Sequence, residues 1–359
     1  MVLFYGKIER ERLYDLKKTK TNYMSKKSLV ITSIGADTMP VLHTYAEECT
    51  KRGLDFIMIG DTKSPAQFHI DGCDFYSVDR QLTLDSEFAK LCPTRHYARK
   101  NIGYIVAIKN GTDEIVETDD DNFPREPFWA EHTRMVKSYD VQDQGWLNVY
   151  RYFTDKFVWP RGLPLEELQK PTPALSSFVE KEVLCPIQQG LADENPDVDA
   201  VFRLAYPLPM DFEKSVRLAL GKNAWSPFNS QNTYWYKEAF PLLYLPAYCS
   251  FRMTDIWRSY VAQRISWVNG WAVLYHEPTV WQERNEHNLL KDFEDEIPGY
   301  LNNSAICKAL GELDLLPGIE NITKNLIICY ECLTSNGWVG MEEMPLVKAW
   351  VNDIEKVWK

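Results

Sequence analysis

Between Ser28 and Thr118 the chain alternates short, β-branched apolar runs with helically spaced ones, and this alternation limits its fold more than any other feature. Ser28–Ala36 (SLVITSIGA), Asp55–Asp61 (DFIMIGD), Cys73–Val78 and Asp113–Thr118 (DEIVET) read as buried strands. After the first of them, Leu42, Tyr45, Ala46 and Cys49 recur at i, i+3, i+4 and i+7. Asp37 is placed to cap that helix, Pro40 falls in its first turn and Gly53 closes it. Arg95–Asn110 reads as a second helix, with Ala98, Ile102, Ile105 and Ile108 toward its buried side. Strand, helix, strand, strand, helix, strand is the opening of an open α/β sheet, whose ligands lie beyond the carboxyl ends of the strands. That rule points to Thr32–Asp37, to Asp61–Lys63 and to the segment after Thr118.

The last of these segments carries chemistry. Asp113–Thr118 runs straight into Asp119, Asp120 and Asp121, followed by Asn122-Phe-Pro124. Continued strand alternation would point Asp119 and Asp121 the same way and Asp120 the other. Two such carboxylates suit Mg²⁺ or Mn²⁺ that is also held by a diphosphate. Their repulsion calls for a cation or basic groups nearby. No Gly-x-Gly-x-x-Gly follows the first strand and no P-loop occurs, so a nicotinamide Rossmann domain and a P-loop NTPase are poorly supported.

Charge and cysteine usage narrow the class further. Fifty-one acidic against forty basic residues give a formal charge of −11, which disfavours nucleic acid as a partner. No run of eighteen apolar residues suggests a transmembrane span, and Met1–Lys27 is polar and basic, unlike a secretory signal. A cytoplasmic location is therefore expected. Eight scattered cysteines do not make a disulfide framework; Cys329 and Cys332, flanked by Ile327, Ile328 and Leu333, read as thiols of a partly buried helix.

An ordered series of stretches carries a family resemblance. It comprises the strand ending in Asp-x-Asp after a helix bearing Lys100-Asn-Ile-Gly103, then Val158-Trp-Pro-Arg-Gly-Leu-Pro-Leu165, Cys185-Pro-Ile-Gln-Gln-Gly190 and Asn195-Pro-Asp-Val-Asp-Ala200. Ser226-Pro-Phe-Asn-Ser-Gln-Asn232 and Asp255-Ile-Trp-Arg-Ser259 complete it. From about Ser28 to about His287 the chain resembles the STELLO-type glycosyltransferases, and more distantly the plant reversibly glycosylated polypeptides, which are UDP-arabinopyranose mutases. The resemblance implies a GT-A type fold, a Rossmann-like open mixed sheet flanked by helices. It differs from the membrane-anchored plant proteins in lacking an apparent transmembrane helix.

The same resemblance implies roles. Thr32, Ser33 and Gly35 after the first strand, with Asp61 after the second, would hold base and ribose, although Asp61 beside Gly60 also suits a simple turn. Arg99, Lys100 and Asn101 would face the nucleotide, with Arg95 and Arg99 one helical turn apart. Asp119 and Asp121 would be metal ligands with Asp120 beside the cofactor, and His287 a third metal ligand. Arg161 matches the arginine that is glycosylated in the mutases; here it would clamp diphosphate or stack on Trp159. Asp255 would be the base that takes the acceptor's proton, or a helix cap. Asp197 and Asp199 match the family stretch and look locally like a turn followed by a strand.

Twelve tryptophans and nineteen tyrosines offer faces for sugar rings, Trp225, Trp235 and Trp257 among them, though core packing accounts for most. Past about Trp271 the alternation fades, Pro298-Gly299 punctuates a charged segment, and Pro345–Trp358 is amphipathic through Val347, Trp350, Val351, Ile354 and Trp358. The expected organisation is a polar segment 1–27, a GT-A type catalytic domain 28–270 and a mainly helical C-terminal extension 271–359, docked on that domain or on a second subunit in a homo-oligomer. The expected activity is metal-dependent transfer from a nucleoside-diphosphate sugar, UDP-linked, to a glycan or glycolipid acceptor, with peripheral membrane contact. The alternatives are a sugar-nucleotide mutase and a non-catalytic sugar-nucleotide-binding protein.

Overall fold

The computed structural model describes residues 25–283 and 288–358. The first strands and helices are β1 (Lys27–Thr32), α1 (Pro40–Arg52), β2 (Asp55–Ile59), β3 (Cys73–Tyr76), α2 (Val78–Leu82), α3 (Glu87–Leu91), α4 (Lys100–Lys109) and β4 (Glu114–Thr118). The middle of the chain supplies β5 (Asn122–Pro124), β6 (Met135–Val141), β7 (Gly145–Trp146), β8 (Val179–Leu184), β9 (Ile187–Asp193) and α5 (Ala200–Ala205). Then come β10 (Leu218–Leu220), β11 (Ala224–Trp225), β12 (Asn232–Tyr236), α6 (Thr254–Val268) and β13 (Val273–Gln282). Three helices close the chain, α7 (Leu289–Glu312), α8 (Ile322–Ser335) and α9 (Glu343–Val357).

One sheet of eleven strands runs in the order β3-β2-β1-β4-β12-β9-β13-β10-β6-β8, with β5 pairing with β13. β3, β2, β1 and β4 are mutually parallel, and β12 then pairs antiparallel with both β4 and β9. The residues of β1, β2, β4 and β12 are buried on both faces, as continuous apolar runs require, while the edge strand β3 is mostly half-buried. Tyr45, Leu42 and Cys49 of α1 cover one face, while Ile102 and Ile105 of α4 belong to the larger core on the other. Gly103 lets α4 press onto the sheet: a Cβ there would lie 2.6 Å from Val30 and 2.9 Å from Ile59. Gly53 closes α1 at φ 69°, as expected.

The expected GT-A type architecture, a Rossmann-like open mixed sheet flanked by helices with helices at the C-terminus, is the one found. Several details differ. The sheet does not end near residue 270, because β13 lies between β9 and β10; the helical region begins with α7. Asp37 does not cap α1, whose cap position is Met39 without a side-chain bond. Pro298 sits inside α7, and Gly299 gives room to Met253, whose sulfur would be 2.2 Å from a Cβ.

The C-terminal helices dock on the α/β layer. Trp350 of α9 donates its indole N–H to the Pro241 carbonyl at 3.0 Å, and Asp353 accepts Phe88 N–H at 2.9 Å and the Ser86 hydroxyl at 2.7 Å. Glu343 accepts the backbone N–H of Ala247 and Tyr248; burial raises its pKa to about 7 against those bonds. Cys329 is buried and Cys332 half-buried on α8, and all eight cysteines are free thiols. Among the described residues no helix is long and apolar enough to cross a membrane.

Candidate functional site

The parallel strands β1, β2 and β4 end side by side, and the segments leaving them enclose a cavity of about 530 Å³. Segments that leave the strand ends line one side with Thr32, Ser33, Asp61, Lys63, Arg95, His96, Tyr97 and all three of Asp119, Asp120 and Asp121; later segments line the rest with Arg161, Asp197, Arg203, Phe251, Arg252 and Asp255. The alternation expected across the aspartates is absent. β4 stops at Thr118 and the chain turns, so Asp120 also reaches the cavity.

Each aspartate is held by a different element. Asp119 Oδ1 accepts from the Tyr97 hydroxyl at 2.8 Å and from Lys100 Nζ at 3.0 Å. Lys100 is fully buried beneath the cluster and also donates to the Thr118 carbonyl at 2.7 Å. Asp120 accepts the Ser33 hydroxyl, whose oxygen accepts Gly35 N–H at 2.9 Å. Gly35 thus acts through Ser33, and a Cβ at that position would lie 2.0 Å from the Met39 sulfur. Among the described residues the side-chain donors to Asp121 are neutral, Gln282 Nε2 at 3.0 Å and Asn122 Nδ2 at 3.1 Å. Burial, with the Asp119 charge adding to it, raises the Asp121 pKa to about 7; burial also raises Asp120, against the Ser33 bond.

Among the described residues Lys100 is the one cation paired with the three carboxylates, which leaves negative charge that a divalent cation would offset. Among the described residues no three His, Cys, Asp or Glu side chains are grouped to cage a metal unaided. A cation here would therefore rely on one or two of these carboxylates, with diphosphate and water oxygens supplying the rest, a coordination that suits Mg²⁺. His287 lies outside the described residues.

The facing wall is electrostatically closed. Arg161 donates Nε and Nη2 to Asp197 at 2.8 Å each, and Nη1 and Nη2 to Asp255 at 3.0 Å each. Its Nη1 also reaches the Arg252 carbonyl. Asp255, in the first turn of α6, further accepts Ser230 N–H at 3.2 Å. Burial works to raise the Asp255 pKa, but Arg161 outweighs it and holds the carboxyl at about 2. Arg161 does not stack on Trp159, whose N–H instead bonds Asp199 at 2.7 Å.

Other expected residues are placed differently. Asp61 lines the cavity, yet its oxygens accept backbone N–H groups, Thr62 at 2.6 Å and His96 at 3.0 Å, so it ties two loops together. Two expectations are corrected. Arg99 is buried away from the cavity, bonded to Gln81 and to the Cys92 carbonyl at 3.0 Å. Asn101 exchanges hydrogen bonds with the Leu245 backbone at 2.8 and 2.9 Å. On consecutive helical positions only one side chain can share the direction of Lys100. Asp199 caps α5, so the Asn-Pro-Asp-Val-Asp turn leads into a helix rather than a strand. Trp225, Trp235 and Trp257 are all core residues.

The sequence reading missed Tyr97, His96, Phe251, Arg252 and Gln282. Tyr97 precedes Lys100 by three residues, a spacing that could have signalled a shared face. Gln282 arrives from the end of β13 with no local signal. Phe251, 55% exposed, is the aromatic side chain that the cavity offers at its rim.

Comparison with known proteins bears on the origin of this arrangement. A profile of the STELLO glycosyltransferases matches residues 252–358. The chain is 30% identical over 281 residues to the probable glycosyltransferase STELLO2 of Arabidopsis thaliana, covering 72% of this chain and 36% of that protein. It is 31% identical over 326 residues to the probable glycosyltransferase STELLO1 of the same plant, covering 84% and 41%. The chain thus spans less than half the length of these curated relatives. Among solved structures, it is similar to glucosyl-3-phosphoglycerate synthase from Mycobacterium tuberculosis in complex with Mn²⁺, uridine diphosphate and phosphoglyceric acid. That likeness has a TM-score of 0.36 at 12% identity, covering 78% of this chain and 79% of the other. A second crystal structure of the M. tuberculosis enzyme gives 0.35 at 9% identity, covering 79% and 81%. At those values the structural likeness carries no inference about ligands. With the ordered sequence stretches from Lys100 to Ser259 and the two plant relatives, the chain belongs to the STELLO-type glycosyltransferase family.

Proposed function

We propose that this protein transfers a sugar from a nucleoside-diphosphate sugar, uridine-linked, to a hydroxyl of a glycan or glycolipid, with Mn²⁺ or Mg²⁺ at Asp119 and Asp121. One observation carries this reading: three aspartates enter a cavity of about 530 Å³, and among the described residues Lys100 is the one cation paired with them, while Lys63, Arg95 and Arg252 line the same cavity. A bound divalent cation would supply charge stabilisation for the departing diphosphate. Lys100 and Tyr97 fix the orientation of Asp119, and the Ser33–Gly35 turn fixes that of Asp120.

Asp255 is the carboxylate at the acceptor side. With Arg161 holding both its oxygens it is ionised but weakly basic. The mutase alternative gains nothing from the geometry, because the Arg161 donors are already committed to Asp197, Asp255 and the Arg252 carbonyl. Eight free thiols support a reducing, cytoplasmic setting.

The test is diphosphate release from a panel of UDP-, GDP- and ADP-sugars, with and without Mn²⁺, in the presence of glycan and glycolipid acceptors. Mn²⁺-dependent UDP release that an acceptor accelerates, and that Asp255→Asn abolishes, is expected. Binding without release under every acceptor condition would favour a non-catalytic sugar-nucleotide-binding protein.

A further inference from the structure

A second cavity, of about 150 Å³, shares no lining residue with the first. His132, His276, Glu277 and Arg217 line it. His276 lies on β13 immediately before the irregularity that separates His276 from Val280 in the pairing with β9. Bulges of this kind re-aim side chains. His276 is only 4% exposed, and its Nδ1 stands 3.1 Å from the Glu277 carbonyl. A carbonyl only accepts, so Nδ1 carries the proton and Nε2 the lone pair. That Nε2 is buried and has no hydrogen-bond partner.

His132 repeats the pattern from a distant part of the chain. Its Nε2 is also buried and unpartnered, and its ring centroid is 5.6 Å from that of His276 at a tilt of 33°. Glu277 Oε2 is a third buried acceptor without a partner. Burial pushes His276 down to about 4 and His132, which also feels His276, down to about 3, so both rings stay neutral in ordinary buffers.

We propose that His132 and His276 bind one divalent transition-metal ion of the zinc class, at a site separate from the strand-end aspartates. Neutral imidazole nitrogen suits zinc, copper and nickel, whereas Mg²⁺ prefers oxygen. A ring whose other nitrogen donates to a backbone carbonyl is the usual support for a ligating histidine. As the side chains stand, the site offers two nitrogens, water completes the coordination, and the Glu277 carboxylate in the same cavity offsets charge against Arg217. The ion ties the segment before β6 to β13, whose far end supplies Gln282 to Asp121.

The experiment titrates Zn²⁺ into chelator-stripped full-length protein held in excess Mg²⁺, by calorimetry, with Co²⁺ absorption as a spectroscopic check. One equivalent is expected, with a rise in Tm. His132→Ala and His276→Gln should each weaken affinity about tenfold or more, the scale on which ligand support acts. Asp119→Asn/Asp121→Asn should leave Zn²⁺ affinity unchanged, which keeps this site distinguishable from the donor site. His132 is only half-buried, so His132→Ala tests the site even if His276→Gln folds poorly. No Zn²⁺ uptake, or equal uptake by the His132→Ala/His276→Gln double variant, would overturn the proposal and leave a water shared between two lone pairs.

Discussion

The two walls of the strand-end cavity use the same side chain in opposite electrostatic states. Among the described residues Asp119, Asp120 and Asp121 share one buried ammonium and a set of neutral donors, and the pKa of Asp121 rises to about 7. Asp197 and Asp255 share an entire guanidinium, and Asp255 falls to about 2. A site that must attract a cation leaves its carboxylates short of positive charge, whereas one that needs only a fixed shape satisfies them. On the proposed reading the first wall is the one suited to a metal, whereas the second is already paired.

The most disruptive way to break this contrast is to remove the cation from the satisfied wall. Arg161→Ala leaves the buried Asp255 and the half-buried Asp197 without their cation and should cost about 3–5 kcal/mol in chemical denaturation. Equal stability of the variant and the parent would mean that the Arg161 pairs are not formed in solution.

A second test sharpens the contrast through pH. The folded Asp121 pKa of about 7 stands above the ordinary 3.8, so the folded state binds more protons between those values. Its contribution is fully present below the unfolded pKa and is lost as pH rises through about 7. Asp121 alone should therefore cost metal-free protein about 1–3 kcal/mol between pH 5 and 8, and Mn²⁺ should restore much of that share. Glu343, raised to about 7, and Asp199, raised to about 6, both by burial, add slopes of the same sign without any response to metal, so the Mn²⁺-sensitive share is the one assigned to Asp121. The sign reverses for Asp255: its contribution is present above its ordinary 3.8 and is lost only as pH falls through about 2.

Two smaller effects test placement. Arg99→Ala should cost about 1–3 kcal/mol through its buried bonds while leaving UDP affinity of the folded protein unchanged. Phe251→Ala at the cavity rim should leave stability intact and weaken ligand binding by about 0.5–1.5 kcal/mol if the ring stacks on the ligand. A large affinity loss in Arg99→Ala would return that arginine to the site.

The parts legible in the sequence were those written in local pattern. Apolar β-branched runs gave away β1, β2 and β4, and the aspartates following Thr118 had to emerge at a strand end. Lys100, which bonds Asp119, was singled out through its family stretch, but its neighbours Arg99 and Asn101 were not separable from it, because helical phase relative to the core is set by tertiary packing. The roles of Asp61 and Arg161 were least legible. Their partners are backbone N–H groups and carboxylates up to 94 positions away, and no spacing rule records them. β13 escaped for a related reason: its place between β9 and β10 depends on long-range pairing rather than on the fading alternation around it.

The central claim is that the charge-deficient wall binds a diphosphate through a divalent cation. Calorimetric titration of UDP with and without Mn²⁺, on the parent and on Asp119→Ala/Asp121→Ala, tests it most directly. Binding that requires both Mn²⁺ and the aspartates is the predicted result. UDP affinity that is indifferent to Mn²⁺, or unchanged in the double variant, would contradict the account and reduce the aspartates to a turn at the end of β4.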